Sequence, residues 1–351
     1  MGPAYRYWWQ PRSLCQPKGR QSLATRIPIL RVFGGDPGSC PVAARDGSCA
    51  ASYDSNTTLL ERLEHTLTTL AGWVGVDSRG PASLYLVSDS RITWLRNGAR
   101  GSSTAEPTWD SGRKTFASHT TPEVFGYAGD VLFPTQTIGQ LTELIDRKAV
   151  SPTNASPEGK LEWIVKSLET SCRTYPPVAS RDFSLLYCGR QGEGMSCLFY
   201  AFALEFKKGV LTAQTPIAIP ASSGPLTYFD GEERFAFGSG RDGFKKGWKE
   251  WLASEVGGTS RSVFSAFTDH VKSGSDPYTG GPPQLVGIYR MHPAKVFGIV
   301  WDQRRFLGGM EIVDVNDEKR LSWHNDLFEI CDPLSMQRAE GAQPQPRPRN
   351  V

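Results

Sequence analysis

Thr68-Thr69-Leu70-Ala71-Gly72-Trp73-Val74-Gly75-Val76, followed after Asp77-Ser78-Arg79-Gly80-Pro81 by Leu84-Tyr85-Leu86-Val87-Ser88-Asp89-Ser90-Arg91-Ile92-Thr93, is the stretch on which the reading of this chain turns. Both runs are apolar and β-prone, and the five residues after the first are turn formers, so the pair reads as a β-hairpin. Two hydroxyl residues open the first strand. By itself that is ordinary, since threonine suits pleated structure.

Outward from the hairpin, other segments carry a period. Ile138, Leu141 and Ile145 fall at helical spacing after Pro134, and Leu161, Ile164, Val165 and Leu168 mark a second helix over 157–173. Strand-like runs follow at 183–188, 196–206, 209–219 and 234–238, separated by glycine-rich turns. Phe244, Trp248, Trp251 and Leu252 share a face of a helix over 242–254, and Val263, Phe264, Phe267 and Val271 share a face of another over 260–272. These aromatic stripes are read as core. Strands return at 284–289 and 296–301, an order that by pattern alone is α+β.

At 351 residues and 39% hydrophobic content, the chain can build a sizeable core. A net charge of +3, with basic and acidic residues interspersed, argues against a nucleic-acid partner. No apolar run is long enough to span a bilayer, so no membrane partner is expected. Cys15, Cys40, Cys49, Cys172, Cys188, Cys197 and Cys331 are odd in number and lack Cys-x-x-Cys spacing, which suits a reduced, cytoplasmic protein. His65, His119, His270, His292 and His324 lie far apart without ligand spacing, so no metal is expected, nor any cofactor. Residues 1–67 lack sustained period and read as a leader that is disordered, removed or not translated. Residues 331–351, Pro-rich and polar, read as a disordered tail.

Four more motifs follow the hairpin: Gly112-Arg113-Lys114-Thr115-Phe116, Gly126-Tyr127-Ala128-Gly129-Asp130, Phe237-Gly238-Ser239-Gly240, and Asp276-Pro277-Tyr278-Thr279-Gly280-Gly281. Each is short enough to be common; their joint order is not. Together they resemble proteasome-type β subunits and their bacterial ring-protease relatives, which are N-terminal nucleophile hydrolases. The resemblance covers about Thr68 to Asp302, although between Val131 and Glu233 it holds only in the alternation of elements. It implies a hydrolase domain over 68–330 with a four-layer αββα sandwich, in which two helical layers cover a pair of stacked sheets.

Carried over position by position, the resemblance makes Thr68 the nucleophile, Lys114 the active-site lysine and Asp89 its counter-ion. Gly129 would supply the oxyanion N–H, and Ser239, Asp276 and Thr279 would surround the Thr68 amine, with Thr279 standing where the family keeps serine. A threonine hydroxyl needs a base within reach, and a mature N-terminal threonine carries its own in the α-amine, whose ordinary pKa is about 7.7 to 8.0. A neighbouring ammonium lowers that value further. The amine must therefore be freed. The family usually places Gly before the nucleophile, whereas this chain has Leu67. Two routes are open: autoproteolysis at Leu67-Thr68, or translation from a non-ATG codon 67 with removal of the initiator Met. The second is favoured, because a residue as small as Thr permits Met removal.

The implied activity is cleavage of peptide bonds in peptides or unfolded proteins by a homo-oligomeric ring. The chain has no Gly-x-x-x-x-Gly-Lys-Ser/Thr motif, so any ATP-dependent unfoldase is a separate partner. Two rivals stand beside this reading: a small-molecule amidase using the same site, and a catalytically silent subunit serving assembly or regulation.

Overall fold

The structure is a computed structural model, which describes residues 67–94, 107–149, 156–176, 182–217, 219, 227–228, 236–315 and 321–348. The expected leader lies outside the described residues except for Leu67. Strands β1 (Leu70–Asp77) and β2 (Gly80–Ser88) form the expected hairpin, with Leu70 opposite Ser88, Trp73 opposite Tyr85 and Asp77 opposite Gly80. Gly80 takes φ +103° at the turn, a region that favours a residue without Cβ. Arg290 grips the same turn, donating to both Asp77 carboxylate oxygens at 2.6 and 2.8 Å and to the carbonyls of Gly80 and Pro81. β2 ends at Ser88, so Asp89 to Arg91 leave the ladder before the two-residue ribbon of β3 (Ile92–Thr93) and β4 (Thr108–Trp109).

β5 (Thr115–Ala117) and β6 (Glu123–Gly129) lead into helices α1 (Leu132–Asp146) and α2 (Pro157–Thr174), after which come β7 (Phe183–Gln191), β8 (Leu198–Lys207) and β9 (Val210–Ile217). β5 to β9 form one antiparallel sheet in sequence order. α2 starts where the Ser156 side chain accepts from Gly159 N–H at 3.2 Å with proline in its first turn. Phe133, Ile138, Leu141 and Ile145 of α1 join Leu161, Ile164 and Leu168 of α2 against Phe125, Tyr127, Phe183, Leu185 and Phe206 of this sheet.

β10 (Thr227–Tyr228) and β11 (Ala236–Phe237) both pair with β1. Helices α3 (Arg241–Leu252) and α4 (Ser260–Ser273) follow, then β12 (Gln284–Tyr289), β13 (Lys295–Trp301), β14 (Arg304–Leu307), β15 (Met310–Glu311), β16 (Trp323–His324) and β17 (Ile330–Cys331). α4 is bounded by a Thr259/Ser262 capping box and by Gly274 at φ +60°. The larger sheet has ten strands among the described residues, in the order β10-β1-β2-β12-β13-β14-β15, with β11 on β1 and with β16 and β17 attached through β13. Phe244, Trp248 and Trp251 of α3 and Val263, Phe264 and Phe267 of α4 share a core with Leu70, Trp73, Leu86 and Val286 of that sheet, and with Leu186 and Ala203 of the smaller one. Gly126 of β6 lies directly on the hairpin: a Cβ there would stand 2.6 Å from Leu70 Cδ1.

These elements correct the expected four-layer αββα sandwich. Strand takes 35% of the described residues against 26% for helix, the helices number four, and every strand pairing but that of β13 with β16 is antiparallel, so the fold is mostly antiparallel β-sheet. The excess of strand comes from short pieces that carry no period, β14 to β17 among them. The C-terminal segment is a second correction. Gln345 N–H donates to Glu329 Oε1 at 2.7 Å, Arg347 pairs with Asp269 and Asp326 at 2.5 and 2.8 Å, and Cys331 bridges to Arg338, so residues 331–348 fold back onto the body.

Leu186 is fully buried in the core common to both sheets, whereas Leu144 on α1 is 36% exposed. Leu186→Ala should cost about 2–5 kcal/mol by urea unfolding, and Leu144→Ala less than about 1. Equal losses would contradict this placement of the core.

Candidate active site at Thr68

Thr68 stands two residues before β1 opens at Leu70, 1% exposed, at φ +144°, a conformation a β-branched residue adopts only under constraint. The turn from β11 into α3 supplies the constraint. Gly238, at φ +93°, lies against the Thr68 backbone so closely that a Cβ would collide with the Thr68 carbonyl oxygen. In the same turn Ser239 Oγ accepts from Thr68 N–H at 3.4 Å.

On the other side of Thr68, Lys114 Nζ donates to Thr68 Oγ1 at 2.6 Å and to Asp89 Oδ1 at 3.0 Å. Both members of this ion pair have side chains at 0% exposure. Asp89 also accepts the backbone N–H groups of Thr69 and Arg91, each at 3.0 Å, and of Gly280 at 3.1 Å. With four donors on two oxygens the carboxylate is locked in place. Burial pushes Lys114 below the ordinary 10.5, opposed by the charge and hydrogen bond of Asp89. The nitrogen touching Thr68 Oγ1 therefore gives up its proton more readily than that of an ordinary lysine.

Asp276 forms a second arm. Its Oδ2 accepts from Ser239 Oγ and from Thr279 Oγ1, both at 2.7 Å, and its Oδ1 accepts from Tyr278 N–H at 3.1 Å. Thr279 Oγ1 also meets Thr69 Oγ1 at 2.7 Å. Of the seven expected site residues, the structure thus joins Thr68, Asp89, Lys114, Ser239, Asp276 and Thr279 in one hydrogen-bonded constellation. Gly129 stands apart from it: it closes β6 opposite Phe183 at φ +112°, and among the described residues no hydrogen bond ties it to Thr68.

Three residues of the site are given no role in the sequence reading. Thr69 links the two arms, its N–H going to Asp89 and its hydroxyl to Thr279. Gln284, 1% exposed at the head of β12, accepts from Lys114 N–H at 2.9 Å and donates to Gly112 O at 2.6 Å, Ser90 Oγ at 2.9 Å and Asp89 O at 3.2 Å. A polar residue opening an otherwise apolar strand was the available signal. His270, which lacks ligand spacing in the sequence, has its Nε2 3.5 Å from Thr69 Oγ1. A cavity of about 430 Å³ has Arg91, Lys272, Thr279, Gly280 and Trp301 in its walls, but not Thr68. Among the described residues no group of three His, Cys, Asp or Glu could hold a metal ion, and no helix is long and apolar enough to cross a membrane.

No protein-family model and no curated protein matches the chain. The site itself offers an oriented hydroxyl, a buried amine in contact with it, a carboxylate holding that amine, and a second carboxylate facing the Thr68 nitrogen through Ser239.

Removing Asp89 would leave Lys114 buried without its counter-charge. Asp89→Asn should lower stability by about 3–5 kcal/mol near neutral pH. Between the lowered Lys114 pKa and 10.5 the unfolded chain holds more protons than the folded one, so the variant's stability should rise with pH through that window. Urea unfolding at neutral pH and toward 10 checks this; a deficit that does not change with pH would rule out the charge explanation.

Proposed function

We propose that the chain is a threonine-type amide hydrolase of the N-terminal nucleophile kind, similar to proteasome-type ring peptidases, which cleaves peptide bonds through Thr68 once its α-amine is free. The observation that carries this reading is the 2.6 Å contact of Lys114 Nζ with Thr68 Oγ1, backed by Asp89 at 3.0 Å. Thr68 Oγ adds to the amide carbonyl as its proton passes to the α-amine. The tetrahedral intermediate then expels the leaving amine, which takes that proton, and leaves an ester on Oγ. Water activated by the same α-amine hydrolyses the ester and restores the hydroxyl. Lys114 stabilises charge on Oγ during attack and, by its own charge, keeps the amine unprotonated and free to take the hydroxyl proton. Gly129 N–H is proposed for the oxyanion on the resemblance alone.

In the intact chain Thr68 N belongs to a peptide bond with Leu67. The φ of +144° at Thr68 supports the first of the two routes, self-cleavage, against the alternative start preferred from the sequence, since strain at the scissile residue, on the order of 1–3 kcal/mol, is relieved when the bond breaks. The same reading takes in a cytoplasmic ring of identical subunits, unfolded polypeptide as substrate, and a separate ATP-dependent unfoldase.

Intact-mass analysis of the native protein, with and without an electrophile directed at N-terminal threonine, tests this. A species beginning at Thr68 should take up one equivalent. Thr68→Ala should abolish labelling, and Lys114→Ala should slow it by about a hundredfold or more. Labelling that survives in Thr68→Ala, or no labelled species at all, would sink the reading.

A further inference from the structure

We infer that His270 is a positioning residue of this site: as the neutral Nε2–H tautomer it terminates a one-way chain of hydrogen bonds that orients Asp276, and through it Ser239, toward the Thr68 nitrogen. The inference rests on the hydrolase reading for its catalytic consequence and on donor counting for the tautomer.

A carboxylate accepts and does not donate, so the single hydroxyl protons of Ser239 and Thr279 are both committed to Asp276 Oδ2, at 2.7 Å each. Thr279 Oγ1 can then only accept from Thr69 Oγ1, 2.7 Å away. With its own proton spent, Thr69 Oγ1 faces His270 Nε2 with a lone pair, at 3.5 Å, the long end of the hydrogen-bonding range. The ring nitrogen must therefore carry the proton. Every donor along the path points the same way, from His270 through Thr69 and Thr279 to Asp276, which also receives Ser239 from the Thr68 side.

The surroundings fix the ring and its charge. His270 is 6% exposed on α4, and the first turn of α3 is made bare to receive it. A Cβ on Gly240 would stand 2.6 Å from His270 Nε2, and one on Gly243 would stand 2.7 Å from Cε1. That end of α3 has no side-chain cap and is the positive end of the helix dipole, which disfavours an imidazolium. Burial pushes the ring below its ordinary 6.5, against the pull of Asp276 and Asp89. Of the other charged groups on these two helices, Arg241 pairs with Asp242 at 2.9 Å, Asp269 with Trp251 Nε1 and Arg347, and Lys272 with Asp326.

Two measurements on the protein as expressed, full chain included, test the inference. Ring ¹⁵N shifts of histidine-labelled protein should show His270 protonated at Nε2 at neutral pH; an Nδ1–H ring would overturn it. With the coumarin amide of a blocked tripeptide as probe, His270→Leu should lower kcat about tenfold or more at unchanged KM. His270→Gln, which restores an N–H donor at similar reach, should recover most of that loss while both variants keep the wild-type unfolding midpoint. Gln no better than Leu would overturn the positioning role. Full activity in Thr68→Ala would defeat the hydrolase reading instead, leaving the ring shifts to judge the hydrogen-bond chain.

Discussion

A lysine and an aspartate, both wholly removed from water, sit at the centre of this molecule. Taking such a pair out of solvent costs several kcal/mol per ion, and mutual attraction offsets that only if the remaining donors and acceptors are satisfied. Asp89 meets the condition with three backbone N–H groups, from Thr69 just ahead of β1, from its own loop and from the Gly280 turn; Lys114 gives a further donor to Thr68 Oγ1. Four segments far apart in sequence are thereby held in register. Hydrophobic residues would fill this space more cheaply, so the pair is better evidence for chemistry than for stability.

The backbone around the pair is drawn in to suit. Glycines at 238, 240 and 280 occupy points where a Cβ would collide with the Thr68 carbonyl, the Thr69 hydroxyl and the Arg91 guanidinium. Arg91 is itself held by a two-pronged contact to Asp110, with both distances 2.8 Å. The crowding explains how Thr68 persists at a positive φ: neighbours packed on both sides leave its backbone no room to relax.

Legibility in the sequence followed locality. The hairpin, the four helices and the two strands at 284–289 and 296–301 each carry period or turn chemistry within a short window, and all were readable from it. Asp89, Lys114, Ser239, Asp276 and Thr279 were singled out because the short motifs that hold them follow one family's order; the structure brings them together, and their roles rest on the proposed hydrolase function. Gln284 and His270 were not, since their roles come from contacts 170 and 201 residues away, of which the local pattern shows at most a polar residue opening an apolar strand at 284. Two-residue strands such as β16 and β17 have no period to detect, and proline content mistook an anchored C-terminal segment for a free one. The four-layer assignment failed differently: it was carried over from a resemblance rather than counted from elements.

The constellation also shows what freeing the Thr68 nitrogen would require. Lys114 already touches Oγ1 in the intact chain, and Ser239 already faces the nitrogen, so no side chain has to travel. What would change is charge. A new ammonium would arise beside an existing one, and like charges at that range depress the basicity of both. Asp89 is saturated by Lys114 and three N–H groups, leaving little for a second cation. Asp276 stands on the opposite side and reaches the nitrogen through the Ser239 hydroxyl. Two acids would then serve two nitrogens from opposite flanks of one threonine, with the Lys114 side drier than the Asp276 side, where Ser239 is exposed. In that division the buried lysine would loosen the amine's hold on its proton, while the Asp276 arm, acting through Ser239, would favour the protonated form.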